Sequence, residues 1–159
     1  MITGASETVL INDDVAVEDS SYTTGRRGVA ATVIVEKIVG SLAETGGSLK
    51  ECKILGDKVN RNSGSMGVAF SSCTVPAAGK PTFKLGPDEM EFGVGIHGEP
   101  GRRRDKVQPA QEITNELLGA IIEDLKLENN GEILLFVNGM GGTPLTELYL
   151  LYDNAKKNS

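Results

Sequence analysis

Gly46 and Gly47 divide two runs of helical spacing, and this joint restricts the fold more tightly than any other stretch of the 159-residue chain. Before it, across residues 28–45, apolar side chains at 29, 33, 34, 38, 39 and 42 recur along one helical face. After it, Ser48-Leu49-Lys50-Glu51 is a capping-box pattern, opening a second helix with Leu49, Cys52, Leu55 and Val59 on one side. So short a joint predicts antiparallel neighbours. The pair breaks strict alternation of strand and helix, while the rest of the chain supplies strands. Residues 8–11 are apolar and β-branched and read as a buried strand. Residues 66–70 read as another, 82–85 as a short edge strand, and 133–137 as a fully apolar strand. A third helical run covers 111–125. A fourth begins at Pro144, with Thr143 placed to cap it, and carries Leu145, Leu148, Leu151 and Tyr152 before a polar tail from 154 to 159. The prediction is a single α/β domain over residues 1–159, two layers deep, with helices packed on a mixed sheet.

Composition narrows the function classes. A formal net charge of -6 argues against nucleic acid or an anionic membrane as the main partner. No apolar run approaches the length of a membrane span. The first residues, MITGASET, lack the basic start and apolar core of a signal peptide. Two unclustered cysteines, Cys52 and Cys73, suit a reducing compartment, which places the chain in the cytoplasm.

One histidine occurs in the whole chain, within Met90-Glu91-Phe92-Gly93-Val94-Gly95-Ile96-His97-Gly98-Glu99-Pro100-Gly101. Phe92, Val94 and Ile96 alternate with small or polar residues, so a strand is expected to reach His97, which Gly98, Pro100 and Gly101 then turn away. Gly93 and Gly95 strip one face of side chains and leave room for a small ligand beside the imidazole. His97 then reads either as a structural histidine bonded to a neighbouring loop or as a nucleophile or proton carrier.

Other constellations carry less. One histidine and two cysteines do not form the close-spaced ligand pairs of a zinc site, so no metal site is expected. Asp13, Asp14, Glu18 and Asp19 invite a magnesium reading, but a solvated loop whose acids neighbour Arg26 and Arg27 or cap a helix is the better account. Ser71, Ser72 and Cys73 lie in a stiff loop with no GxSxG elbow anywhere, against a hydrolase. Arg102, Arg103, Arg104 and Lys106 could attract phosphate; a solvated loop or a rim for an acidic partner is preferred. The glycine loop 138–144 lacks the GK[ST] ending of a P-loop and reads as a tight connection.

GVGIHGEPGRRR, with CTVPAAGKPTFKLGPDEMEF at 73–92 and NDDVAVEDSSYTTGRRGVAATV at 12–33, closely resembles the substrate-binding subunit of dihydroxyacetone kinase, from Val9 to about Tyr152. The resemblance implies the second domain of that subunit. It also implies that His97 bonds covalently to the carbonyl carbon of dihydroxyacetone as a hemiaminal, with Gly95 and Gly98 beside the substrate. No cofactor is then bound by this chain: ATP or ADP with magnesium sits on a partner nucleotide-binding subunit or domain. The segments GSGH and KNYTGD, which bring a second histidine and an aspartate to family members, are absent. The chain therefore reads as a fragment lacking the N-terminal domain and the C-terminal end, inactive alone, with apolar edges suited to a homodimer. A non-catalytic, dihydroxyacetone-sensing coactivator using the same histidine is the alternative.

Overall fold

A computed structural model describes residues 4–21, 24–72, 74 and 76–157. Tyr22, Thr23, Cys73 and Val75 of the quoted motifs lie outside the described residues, as do the first three and last two residues of the chain. The architecture is α/β: four helices and a small sheet in the order α1 (Ala31–Glu44), α2 (Leu49–Arg61), β1 (Val68–Ala69), β2 (Glu89–Phe92), β3 (Arg103–Lys106), α3 (Ala110–Leu125) and α4 (Leu145–Lys157).

The helix pair forms as its spacing predicts. Ser48 Oγ accepts the Glu51 N–H at 3.3 Å and the Glu51 carboxylate accepts the Ser48 N–H at 2.8 Å, which is the reciprocal capping box. Cys52 is half-buried and packs at this joint. Helix α1 is capped from far away in sequence. The buried Asp13 carboxylate accepts the N–H groups of Val29 at 2.7 Å and Ala31 at 3.2 Å, filling donors that a helix start leaves open. The four-acid segment is thus a cap and an ion-pair partner, and among the described residues no acidic, cysteine or histidine cluster is arranged to hold a metal.

The ladder is three-stranded and antiparallel, in the order β1-β2-β3, with one isolated parallel bridge between Asp14 and Ser65. Phe92 pairs with Arg103, Glu91 with Arg104, Met90 with Asp105 and Glu89 with Lys106. Met90 and Phe92 are fully buried against Ile113 of α3, with Met66, Val68 and Leu117 packed around them, so the core lies between sheet and α3.

Several expected strands take other forms. Residues 8–11 have no ladder partner among the described residues. Val9 faces Gly56 of α2, but Leu10, on the opposite side, is 78% exposed, so the segment is extended and open instead of buried. Residues 82–85 join no ladder, and only an isolated bridge, Thr74 to Pro81, marks that loop. Residues 133–137 keep a period of two, with Leu135 and Val137 half-buried and Leu134 and Phe136 exposed, yet again without a neighbouring strand among the described residues. The strand expected to run to Ile96 stops at Phe92, because Gly93 bends the chain at φ +73° and the Arg102 N–H closes back onto the Phe92 carbonyl at 2.8 Å. The basic run expected as a loop is strand β3 instead. Arg102 donates to the Val15 and Ala16 carbonyls, Arg103 pairs with Glu116 and lies over the Phe92 ring at 4.7 Å, and Arg104 reaches Glu91 at 3.1 Å. Acceptors within the chain take up its three arginines. The Thr143 hydroxyl donates to the Met140 carbonyl instead of capping α4, which itself runs through the expected polar tail to Lys157.

Candidate functional site

Past Gly93 the β2–β3 connection narrows to a tight turn. The Gly98 N–H donates to the Gly95 carbonyl at 3.1 Å and the Gly95 N–H to the Glu99 carbonyl at 2.9 Å. Gly98, at φ +86°, supplies the left-handed residue such a turn requires. His97 sits at the tip, exposed, and its imidazole makes no hydrogen bond to a described residue.

The turn rests on a buried ionic network. Arg27 is pinned by Asp14, whose Oδ2 accepts from Nε at 2.8 Å, and its Nη2 donates to the Gly93 carbonyl at 2.6 Å. Its Nη1 lies 3.7 Å from Glu99 Oε2, has no hydrogen bond and is shut off from solvent. Asp14 Oδ1 takes the Ala16 N–H at 2.9 Å; Glu99 takes the Ser20 hydroxyl at 3.0 Å and the Ser21 N–H. Burial pushes the Asp14 carboxyl above its ordinary value, and Asp13 adds to this, against the pull of the Ala16 N–H and Arg27. Burial pushes Glu99 the same way, but the Ser21 N–H, the Ser20 hydroxyl and Arg27 together hold it below its ordinary value. One guanidinium thus separates two carboxylates shifted in opposite directions.

A cleft of about 160 Å³ opens between this network and the turn. Gly95, His97 and Glu99 line one side, and Ser20, Arg27 and Val29 the other. A wider depression of about 280 Å³ on α3, lined by Asn115, Leu118, Gly119 and Ile122, carries no titratable side chain. Chemistry therefore selects the smaller cleft.

The glycines do not do what their spacing suggests. A Cβ on Gly93 would lie 2.5 Å from that of Ala16, and one on Gly95 would lie 2.9 Å from Arg27 Nη1. The space they vacate is filled by the protein itself, not left for a ligand. Gly98 faces Thr82, 2.7 Å from where its Cβ would be, and is outside the cleft lining. Glu99 went unrecognised in the sequence. Its only local signal is a carboxylate set between glycine and proline next to the lone histidine.

The Dak1 domain profile matches residues 2–159. The chain belongs to the Dak1 domain family. Within the Dak1 relatives, it is 51% identical over 148 residues to the dihydroxyacetone-binding subunit DhaK of PTS-dependent dihydroxyacetone kinase 1 from Listeria innocua, covering 93% of this chain and 45% of that protein. Among solved Dak1 structures, the dihydroxyacetone kinase operon co-activator Dha-DhaQ superposes with a TM-score of 0.83 at 33% identity, covering 94% of this chain and 46% of that one. The dihydroxyacetone kinase from C. freundii, in complex with AMP-PNP and Mg2+, gives a TM-score of 0.77 at 28% identity, covering 92% and 26%. The chain spans about half the length of the curated DhaK relatives it matches. Among the described residues no helix is long and apolar enough to cross a membrane.

Proposed function

We propose that this Dak1 domain supplies the substrate-holding part of a dihydroxyacetone kinase, with His97 bonding covalently to dihydroxyacetone. The observation that carries the reading is the single histidine, with no hydrogen bond to a described residue and exposed on a turn beside a cleft of about 160 Å³, in a chain 51% identical over 148 residues to a dihydroxyacetone-binding subunit. The lone-pair nitrogen of neutral imidazole attacks the ketone carbon. A C–N bond forms as the C=O π bond breaks, and the proton of the other ring nitrogen is lost as one is gained by the carbonyl oxygen. The product is a neutral hemiaminal that holds the triose by its central carbon and leaves both terminal hydroxyls free. A polyol without a carbonyl cannot be captured in this way, so selection rests on chemistry where shape discriminates poorly.

The nucleotide and its magnesium belong, on this reading, to a separate subunit or domain; the C. freundii kinase in complex with AMP-PNP and Mg2+ has the length for one, since this chain covers only 26% of it. This chain's contribution is to immobilise and orient the acceptor, which lowers the barrier to phosphoryl transfer by removing its orientational freedom. The reading carries a cytoplasmic setting and a homodimer, the latter supported by the exposed apolar side chains of Ile133, Leu134 and Phe136.

A second reading, a dihydroxyacetone-sensing coactivator, is favoured by the superposition on Dha-DhaQ. Turnover with a nucleotide-bearing kinase subunit separates the two, since a sensor captures the triose and phosphorylates nothing. The capture itself is tested with dihydroxyacetone carrying 13C at its central carbon. Its resonance should leave the carbonyl region for the tetrahedral one on binding to the parent chain, and should remain in the carbonyl region with His97→Asn. A bound ketone that keeps its carbonyl resonance would refute the covalent bond.

A further inference from the structure

We propose that Arg27, clamped between Asp14 and Glu99, is a positioning residue that sets the orientation of His97 for attack; this rests on the covalent reading above. The imidazole has no hydrogen bond of its own to a described residue, so it inherits its placement from the turn that carries it. Arg27 touches that turn at three places. It holds the carbonyl of Gly93 where the chain enters, lies beneath Gly95, and faces the carboxylate of Glu99 where the chain leaves. On its far side Nε is tied to Asp14, which is itself joined through backbone to Arg27 and Ser65. The guanidinium thus connects the N-terminal segment to both legs of the hairpin.

Burying a cation between two carboxylates is a poor way to gain stability, because apolar side chains of similar volume often do as well or better. What a planar fork adds is direction: donors in one rigid plane fix the Asp14 carboxylate and the Gly93 carbonyl relative to one another, with Glu99 held alongside by charge alone, which a lysine ammonium cannot do. Gly95 fits this account. Any side chain there would meet Arg27 Nη1 at 2.9 Å and the Glu99 Cβ at 3.1 Å, so the glycine admits the guanidinium under the turn.

The test uses the full chain with Arg27→Lys and Glu99→Gln. Hydrogen exchange at the Gly95 and Gly98 amides, read against Leu117 of α3, needs no ligand. Both variants should speed exchange at the two glycines, Arg27→Lys by about tenfold, with Leu117 unchanged. With 13C-labelled dihydroxyacetone, the fraction of bound triose in the tetrahedral form should fall by about tenfold in Arg27→Lys, while total binding changes far less. Loss of packing alone would not split adduct from binding in this way. Exchange and adduct fraction equal to the parent in Arg27→Lys overturn the proposal. If Leu117 also loses protection there, the decision passes to Glu99→Gln, and parent-like behaviour of that variant overturns it. A parent chain that forms no adduct sinks the covalent reading, and with it the assignment of Arg27 to attack geometry.

Discussion

The hairpin that carries His97 and the stretch from Leu127 to the end of α4 are built on opposite principles. On the hairpin's paired strand β2 the apolar residues are spent inside: Met90 and Phe92 have no exposure, and although Ile96 at the turn is exposed, the charged side chains of Asp14, Arg27 and Glu99 beneath it are buried and held by partners. Along the C-terminal stretch, Ile133, Leu134, Phe136, Leu145, Tyr149 and Tyr152 are exposed. The contrast shows that patterning alone does not place a residue inside. Leu134 and Phe92 are both apolar residues in extended segments, and only Phe92 has a strand beside it and a helix over it. An extended segment without a neighbour leaves alternate side chains and its backbone edge open.

Substitutions in the two regions test this contrast, beginning with the largest effect. Arg27→Met leaves Asp14 and Glu99 buried beside an apolar side chain, and should lower unfolding free energy by about 3–5 kcal/mol in urea titrations. A loss below about 1 kcal/mol would place the network among exposed pairs and erase the distinction between the regions. Asp13→Ala removes the carboxylate that fills two N–H groups at the start of α1, and about 2 kcal/mol should go with it, at the upper end for helix caps.

Acidity sharpens the comparison from within the network. The folded Glu99 carboxyl lies below its ordinary value of 4.5, so its contribution is present above that pH and is lost as pH falls through the folded value. Asp14 is raised above 3.8, so its titration works in the opposite sense, favouring the fold below that value and losing the contribution as pH rises through the folded one. Chemical denaturation from pH 6 downward should therefore show Glu99→Gln losing less stability than the parent as acid is added, while Asp14→Asn removes the opposing trend; parallel curves for all three would count against the assignment. Ser48→Ala, at an exposed capping box outside both regions, should cost about 1 kcal/mol. Leu134→Ser, at a side chain 73% exposed, should fall within about 0.5 kcal/mol of the parent when both are measured dilute enough to be monomeric, since dimerisation through this face would add a loss of its own. A larger loss there would mean that this stretch is packed, and the contrast would fail.

Much of the helical content was legible. The runs at 28–45 and 111–125 became α1 and α3, and Ser48 with Glu51 formed the capping box its spacing promised. The acids at 13 and 14 took the two roles preferred for them, cap and partner of Arg27, but both are buried where a solvated loop was expected, because the donors they meet lie inside the fold. Strands were read less well. The basic run at 103–106 resembled a loop because nothing local reveals that Glu91 and Glu89 lie opposite Arg104 and Lys106. At the site, His97 was visible as the lone histidine among glycines, but the glycines were misread, since the atoms filling their space belong to Ala16 and Arg27.

The sequence by itself determined where the helices run, that the class is α/β, and that one imidazole lies among glycines at 97, because those follow from spacing within a few residues and from there being one histidine. Tertiary structure alone decided which extended segments acquire a neighbour and what supports the turn under His97. Arg27 meets Gly93 across 66 positions of chain, and Ser20 meets Glu99 across 79. A hydrogen bond spanning that separation leaves no periodic trace, since it depends on where folding brings two loops and not on what lies beside either residue.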